Sequence, residues 1–109
     1  FDNVITGAPA HRSPYFNLVE AKGQGRVALV KESEFVRRQD VPPCFDLNAS
    51  IYVWHRRALL ENSKVITTNT GLFEMPRERS WDIDSELDFE IVEVLMKRNG
   101  HEKEMVHNR

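Results

Sequence analysis

Ser80-Trp81-Asp82-Ile83-Asp84-Ser85-Glu86-Leu87-Asp88-Phe89-Glu90-Ile91-Val92-Glu93-Val94-Leu95 is the stretch on which the fold turns. Before Ser85 the chain reads as short extended runs broken by turn residues. From Ser85 onward Leu87, Ile91, Val94 and Leu95 follow helical spacing, and Gly100 ends the run. Ser85 with Asp88 three residues on resembles a capping box in which Asp replaces the usual Glu or Gln. Strand-like runs therefore precede a long helical one.

Working back towards Phe1, residues 72–75 read as a strand stopped by Pro76, preceded by an Asn69-Thr70-Gly71 turn and a brief extended piece over 64–68. Residues 56–62 form a short helix with Leu59 and Leu60 inside. Residues 49–54, rich in β-branched and aromatic side chains, form a buried strand. Pro42-Pro43 forces an extended passage after the charged segment 32–40, which Phe35 and Val36 anchor. Two strands, 15–21 and 26–31, flank Lys22-Gly23-Gln24-Gly25 as a β-hairpin. Residues 1–6 form a first strand ended by Gly7 and Pro9. The tail over 101–109 has only Met105 and Val106 as apolar content and is expected to fray. The chain carries no internal repeat.

With 109 residues, 40% hydrophobic and 29% charged, the chain can form a core and is one small domain or a piece of a larger one. It opens on Phe1 without a basic-then-apolar leader, and so reads as an internal or C-terminal segment. No run approaches the length of a membrane span. The single cysteine, Cys44, cannot form an internal disulfide, which fits a reducing, cytoplasmic setting. A net charge of -2 argues against gripping a nucleic acid polymer by bulk charge. The acids are nonetheless uneven: Asp82, Asp84, Glu86, Asp88, Glu90 and Glu93 crowd into one stretch without a base. Such a cluster repels itself unless a cation sits nearby or the side chains fan out around a solvated helix.

Within that cluster, Asp82 and Asp84 are alternate residues of an extended segment, and two carboxylates on one side form a hard oxygen site suited to Mg²⁺ bridging phosphates. Equally, acids before a helix answer its dipole and cap it. Arg37-Arg38-Gln39-Asp40 offers a bidentate clamp for a carboxylate or phosphate, or a solvated charge pair before the prolines. Asn48 could fix a ligand hydroxyl or cap the turn that launches the strand. His11 and Arg12 lie on a loop between prolines and read as surface. His55, His101 and His107 lack metal-ligand spacing, Ser50 and Ser85 lack partners for a hydrolase triad, and Gly23-x-Gly25 is too short for a phosphate loop. Cys44, Trp54 and Trp81 read as packing residues.

The order of these elements carries more than any one of them. Arg37-Arg38-Gln39-Asp40, the Pro-Pro pair, Asn48-Ala49-Ser50-Ile51-Tyr52, Met75-Pro76 and then Ser80 to Phe89 together resemble the acylneuraminate cytidylyltransferases, from about residue 1 to 97. The resemblance implies transfer of CMP from CTP to the anomeric hydroxyl of a nine-carbon 2-keto sugar acid, releasing pyrophosphate with Mg²⁺ as cofactor. It implies an α/β fold with a Rossmann-like, mostly parallel sheet of the nucleotide-diphospho-sugar transferase type. On that pattern residues 1–98 are the C-terminal half of the domain, about 7–45 are a hairpin-bearing dimerisation insertion, and 99–109 are a polar tail. Asp82 and Asp84 match the metal-binding pair, with Asp84 also helping to activate the attacking hydroxyl. Arg37 and Gln39 match insertion residues that reach a neighbouring subunit's site in a homodimer, and Asn48 matches an asparagine near the sugar acid.

Two departures qualify the match. The family's nucleotide-binding loop would precede Phe1, so the chain by itself is expected to be inactive. Asp46 stands where several sialic-acid-specific members have an arginine, and Asp46-Leu47-Asn48 looks more like members acting on legionaminic or pseudaminic acid. The alternatives are a cytidylyltransferase for an eight-carbon 2-keto sugar acid, or a non-catalytic homodimerisation module built on the hairpin.

Overall fold

The computed structural model describes residues 1–32, 34 and 37–107, with side chains through Gly100. The expected anchors Phe35 and Val36 lie outside the described residues. In chain order the elements are β1 (Asn3–Pro9), β2 (Val19–Gly23), β3 (Arg26–Leu29), β4 (Phe45–Trp54), α1 (Arg56–Glu61), β5 (Thr70–Glu74) and α2 (Glu86–His107). Single 3₁₀ turns occupy Arg38–Asp40 and Arg77–Arg79.

The main sheet has the order β4-β1-β5, with β1 antiparallel to β4 and parallel to β5. The chain is thus mixed α/β. Of its two pairings in this sheet one is parallel and one antiparallel. The reason is topological. After β1 the chain leaves at Ala10 and returns at Cys44, whose carbonyl accepts the Ala10 N–H at 2.9 Å, so β4 runs back along β1. Helix α1 then carries the chain across to β5.

β1 is longer than its sequence reading because Gly7 continues the strand instead of ending it. A Cβ there would sit 2.8 Å from the Asp46 carbonyl oxygen and 3.2 Å from Leu72 Cδ1, and the Gly7 carbonyl accepts the Met75 N–H at 2.7 Å. Glycine marks a close backbone approach here, as it often does inside a strand. Opposite Thr6 the β1–β4 register jumps from Ile5↔Tyr52 to Gly7↔Leu47, a bulge in which Ala49 takes φ +51°.

The hairpin forms, with a later first strand than expected: residues 13–18 are a turn in which the Phe16, Asn17 and Leu18 N–H groups donate to Ser13 O. Gln24 and Gly25 both have positive φ, 55° and 76°, as a two-residue hairpin turn requires to match strand twist. Residues 64–68 form no strand, and Thr70 already belongs to β5.

The expected buried strand at 49–54 is present within β4, and it is exposed: Ile51 shows 52% of its surface and Val53 60%. On α1, Ala58 faces inward, while Leu59 and Leu60 are exposed. Helix α2 passes through Gly100 to His107, because a helical glycine costs only about 1 kcal/mol and Gly100 lacks the left-handed φ of a C-cap. Among the described residues the buried apolar ones are Ile5, Ala8, Tyr15 and Ala58. The total accessible surface, 9352 Å², exceeds the roughly 6,200 Å² expected of a compact monomer of this mass. The radius of gyration of 18.4 Å likewise exceeds the roughly 13 Å of a compact chain of this length.

Candidate functional site: the acid turn before the second helix

The bulge in β4 places Asn48 under the sheet edge, where only 7% of its surface remains exposed. Its Oδ1 accepts the Thr6 hydroxyl at 2.6 Å and the Ser50 N–H at 3.1 Å. Its Nδ2 donates to Ser80 Oγ at 2.9 Å and meets Met75 Sδ at 3.3 Å. Thr6 Oγ1 in turn accepts the Ile51 N–H at 3.1 Å. Asn48 therefore does cap the backbone at the bulge, and it also ties β1 and β4 to Ser80, two residues before Asp82. Ser80 Oγ donates to the Pro76 carbonyl at 2.9 Å, closing the 3₁₀ turn that leads out of β5.

From Ser80 the chain crosses to α2 with no strand partner, carrying Asp82 and Asp84, both exposed. Among the described residues no hydrogen bond or ion pair engages either carboxylate. Asp84 borders a shallow depression with Ser85, Glu86, Phe89, Glu90 and Glu93. Asp88 behaves differently. Its Oδ1 accepts the Trp81 indole N–H at 3.1 Å, and its Oδ2 accepts the Asp84 N–H at 3.1 Å and the Ser85 hydroxyl at 2.9 Å. These donors, the indole first and then the Ser85 hydroxyl and Asp84 amide, hold its carboxyl below the ordinary carboxylate value. Ser85 Oγ accepts the Asp88 N–H at 3.2 Å, as the capping-box reading expects.

The arginine cluster stands apart from this turn. Arg37 Nε lies 3.4 Å from Asp40 Oδ2, an exposed pair of little energetic weight. Gln39 and Arg38 border a cleft of about 410 Å³ with His11, Arg12, Pro42 and Cys44. Among the described residues that cleft shares no lining residue with the Asp84 depression, and no bond joins Arg37 or Gln39 to Asp82 or Asp84. One indirect link exists. Arg77 donates to the Pro9 carbonyl at 3.0 Å and to His11 Nδ1 at 2.9 Å, so the cleft's histidine is tied to the turn that precedes Ser80. A guanidinium only donates, so His11 Nδ1 is the acceptor.

Sequence reading missed Thr6, Ser80, Arg77 and the indole of Trp81. Thr6 carried no signal beyond being polar in a strand whose neighbours are apolar. His11 was seen and assigned to the surface.

The chain is homologous, over most of its length, to acylneuraminate cytidylyltransferases. It is 54% identical over 93 residues, or 85% of its length, to the CMP-N,N'-diacetyllegionaminic acid synthase of Campylobacter jejuni, covering 39% of that protein. It is 53% identical over 99 residues, or 91% of its length, to post-translational flagellin modification protein B of Campylobacter coli, covering 42% of that protein. Against an N-acylneuraminate cytidylyltransferase of Streptococcus agalactiae the identity is 28% over 89 residues, 81% of this chain and 21% of that protein. The chain thus spans about two fifths of the length of the first two relatives. No family model matches it.

Proposed function

We propose that this chain is part of a cytidylyltransferase that transfers CMP from CTP to the anomeric hydroxyl of a nine-carbon 2-keto sugar acid of the legionaminic type. The observation that carries the reading is the 54% identity to a CMP-N,N'-diacetyllegionaminic acid synthase across a stretch that includes the acid turn. Asp46, where an arginine would favour sialic acid, supports the bacterial analogue. Its carboxylate accepts the His11 N–H at 3.3 Å.

In this reading Asp82 and Asp84 hold Mg²⁺. The donor set fits. Among the described residues no three His, Cys, Asp or Glu side chains converge on a point, so an all-protein cage is absent. Mg²⁺ usually takes one or two carboxylates and completes its shell with water and substrate phosphates. Two exposed, unengaged carboxylates supply that share. When bound, the ion would offset negative charge on the reacting phosphates. Asp84 would also accept the proton of the attacking hydroxyl, Asn48 would lie near the sugar acid, and Arg37 and Gln39 would serve a neighbouring subunit.

A homodimer built on the hairpin belongs to the same proposal. Its apolar residues Leu18, Val19, Val27 and Val30 are exposed, more than a lone hairpin tolerates. The exposed apolar faces of β4 and β5 support a longer chain whose remaining part covers them and supplies the nucleotide-binding loop. Among the described residues no helix is long and apolar enough to cross a membrane.

The test is pyrophosphate release by the whole protein that carries this chain, given CTP, Mg²⁺ and in turn legionaminic, pseudaminic, sialic and eight-carbon acids. Release with the legionaminic acid is expected, with a loss on the order of 10³-fold in Asp84→Asn from several kcal/mol of lost transition-state stabilisation. Release with only the eight-carbon acid moves the assignment to that acceptor. No release with any acid, from folded protein, sinks the enzymatic reading and leaves the homodimerisation module.

A further inference from the structure

Resting on that reading, we propose that Asp88 is the positioning residue of the Asp82–Asp84 pair: its carboxylate staples both ends of the acid turn to the first turn of α2. The geometry goes beyond a helix cap. In a capping box the third helical residue reaches back to the N–H of the cap residue itself. Here the Ser85 backbone still acts on the Asp88 carboxylate, and Oδ2 also reaches one residue further back, to the Asp84 N–H, while Oδ1 holds the Trp81 indole from the other side of Asp82. Four residues, Trp81 to Asp84, are therefore gripped at both ends by one side chain that is itself fixed to Ser85.

The turn needs such a grip. It has no strand neighbour, and its two carboxylates repel each other and those of the adjoining helix. Ser80, held by Asn48, anchors the turn's entry to the sheet, and Asp88 anchors its exit to the helix. Three donors already engage the Asp88 carboxylate, whereas none engages Asp82 or Asp84. The acids thus divide by role: Asp88 is committed to the protein, and the other two are left for a cation. A site held this way is set before its ligand arrives, which lowers the reorganisation needed on binding.

Asp88→Glu separates this role from capping. Glutamate is the usual capping-box residue, so the helix start is kept. Its extra methylene displaces the carboxylate by about 1.5 Å from the Trp81 and Asp84 donors. Trp81→Phe removes the indole donor and leaves the cap untouched. The first readout is hydrogen exchange in the metal-free whole protein. The Asp84 amide and Trp81 indole protons should be protected in the wild type and exchange roughly tenfold faster in Asp88→Glu, with amides in the middle of α2 unchanged. The second is the Mg²⁺ dependence of pyrophosphate release, where half-saturation should rise by about 10–100-fold in Asp88→Glu and less in Trp81→Phe.

Unchanged exchange in Asp88→Glu, or wild-type Mg²⁺ half-saturation in both variants while Asp84→Asn abolishes turnover, overturns the positioning role and leaves the proposed activity standing. Wild-type turnover in Asp84→Asn overturns the metal-holding role of Asp84, and with it the positioning role of Asp88, while the activity stands; no pyrophosphate release from the folded wild type with any acid overturns the activity.

Discussion

Thr6, Asn48, Ser80 and Asp88 each find polar side-chain partners within the chain. Along β4 and β5, Ile51, Val53, Leu72 and Phe73 remain exposed. Among the described residues no buried side-chain nitrogen or oxygen lacks a hydrogen bond. The polar network is closed and the apolar surface is open. The contrast follows from the range of the two forces. A hydrogen bond needs one partner at a set distance and angle, which a bulge or turn can provide locally. Apolar burial needs area from several directions, and one three-stranded sheet with two helices does not supply it.

Three measurements break or sharpen this comparison. The largest effect is expected at the open face. Phe73 is 63% exposed here, and if the longer chain covers it, Phe73→Ala should cost the whole protein about 3–5 kcal/mol by chemical denaturation. A loss within about 0.5 kcal/mol, as for an ordinary surface site, would mean that nothing packs there. The closed network should respond less. Thr6→Val leaves the Ile51 N–H without its acceptor and removes one of two donors to Asn48 Oδ1, costing about 1–3 kcal/mol. Stability unchanged in that variant would show that the bulge holds without the network.

The smallest effect is the pH dependence of Asp88. Its folded pKa is depressed below the ordinary 3.8, so the carboxylate's contribution to stability is complete above that value. It is lost as pH falls through the folded pKa. The Trp81 indole resonance should therefore titrate with a midpoint below 3.8, and the titration should vanish in Asp88→Asn. A midpoint at or above 3.8 would show that the Trp81 and Asp84 donors do not favour the charged form.

Much of the architecture was legible in the residues. The Gln24-Gly25 turn, the helix start at Ser85, and the strands on either side of Pro42-Pro43 and before Pro76 depend on local preferences, which a sequence displays directly. The capping relation between Ser85 and Asp88 was legible for the same reason. Asn48 was half legible: its turn-capping bond to Ser50 is local, whereas its bonds to Thr6 and Ser80 span 42 and 32 residues. Gly7 was misread because a glycine that ends a strand and one that admits a neighbouring carbonyl look alike in sequence. Leu59, Leu60, Ile51 and Val53 read as interior and stand exposed on this chain, since composition says what a residue prefers and not whether a surface is present to satisfy it.

The sequence by itself determined the turns and caps and the acid-rich approach to α2. Those rest on backbone preference and short-range pairing, which neighbours in the chain decide. Only the tertiary structure decided that β4 returns antiparallel beside a central β1. It alone showed that Asn48 reaches Ser80, that Arg77 ties His11 to the turn, and that Asp88 is taken up by Trp81 and Asp84 while Asp82 and Asp84 stay free. Such relations depend on which distant segments meet, and a hydrogen bond or a buried face exists only once they have met.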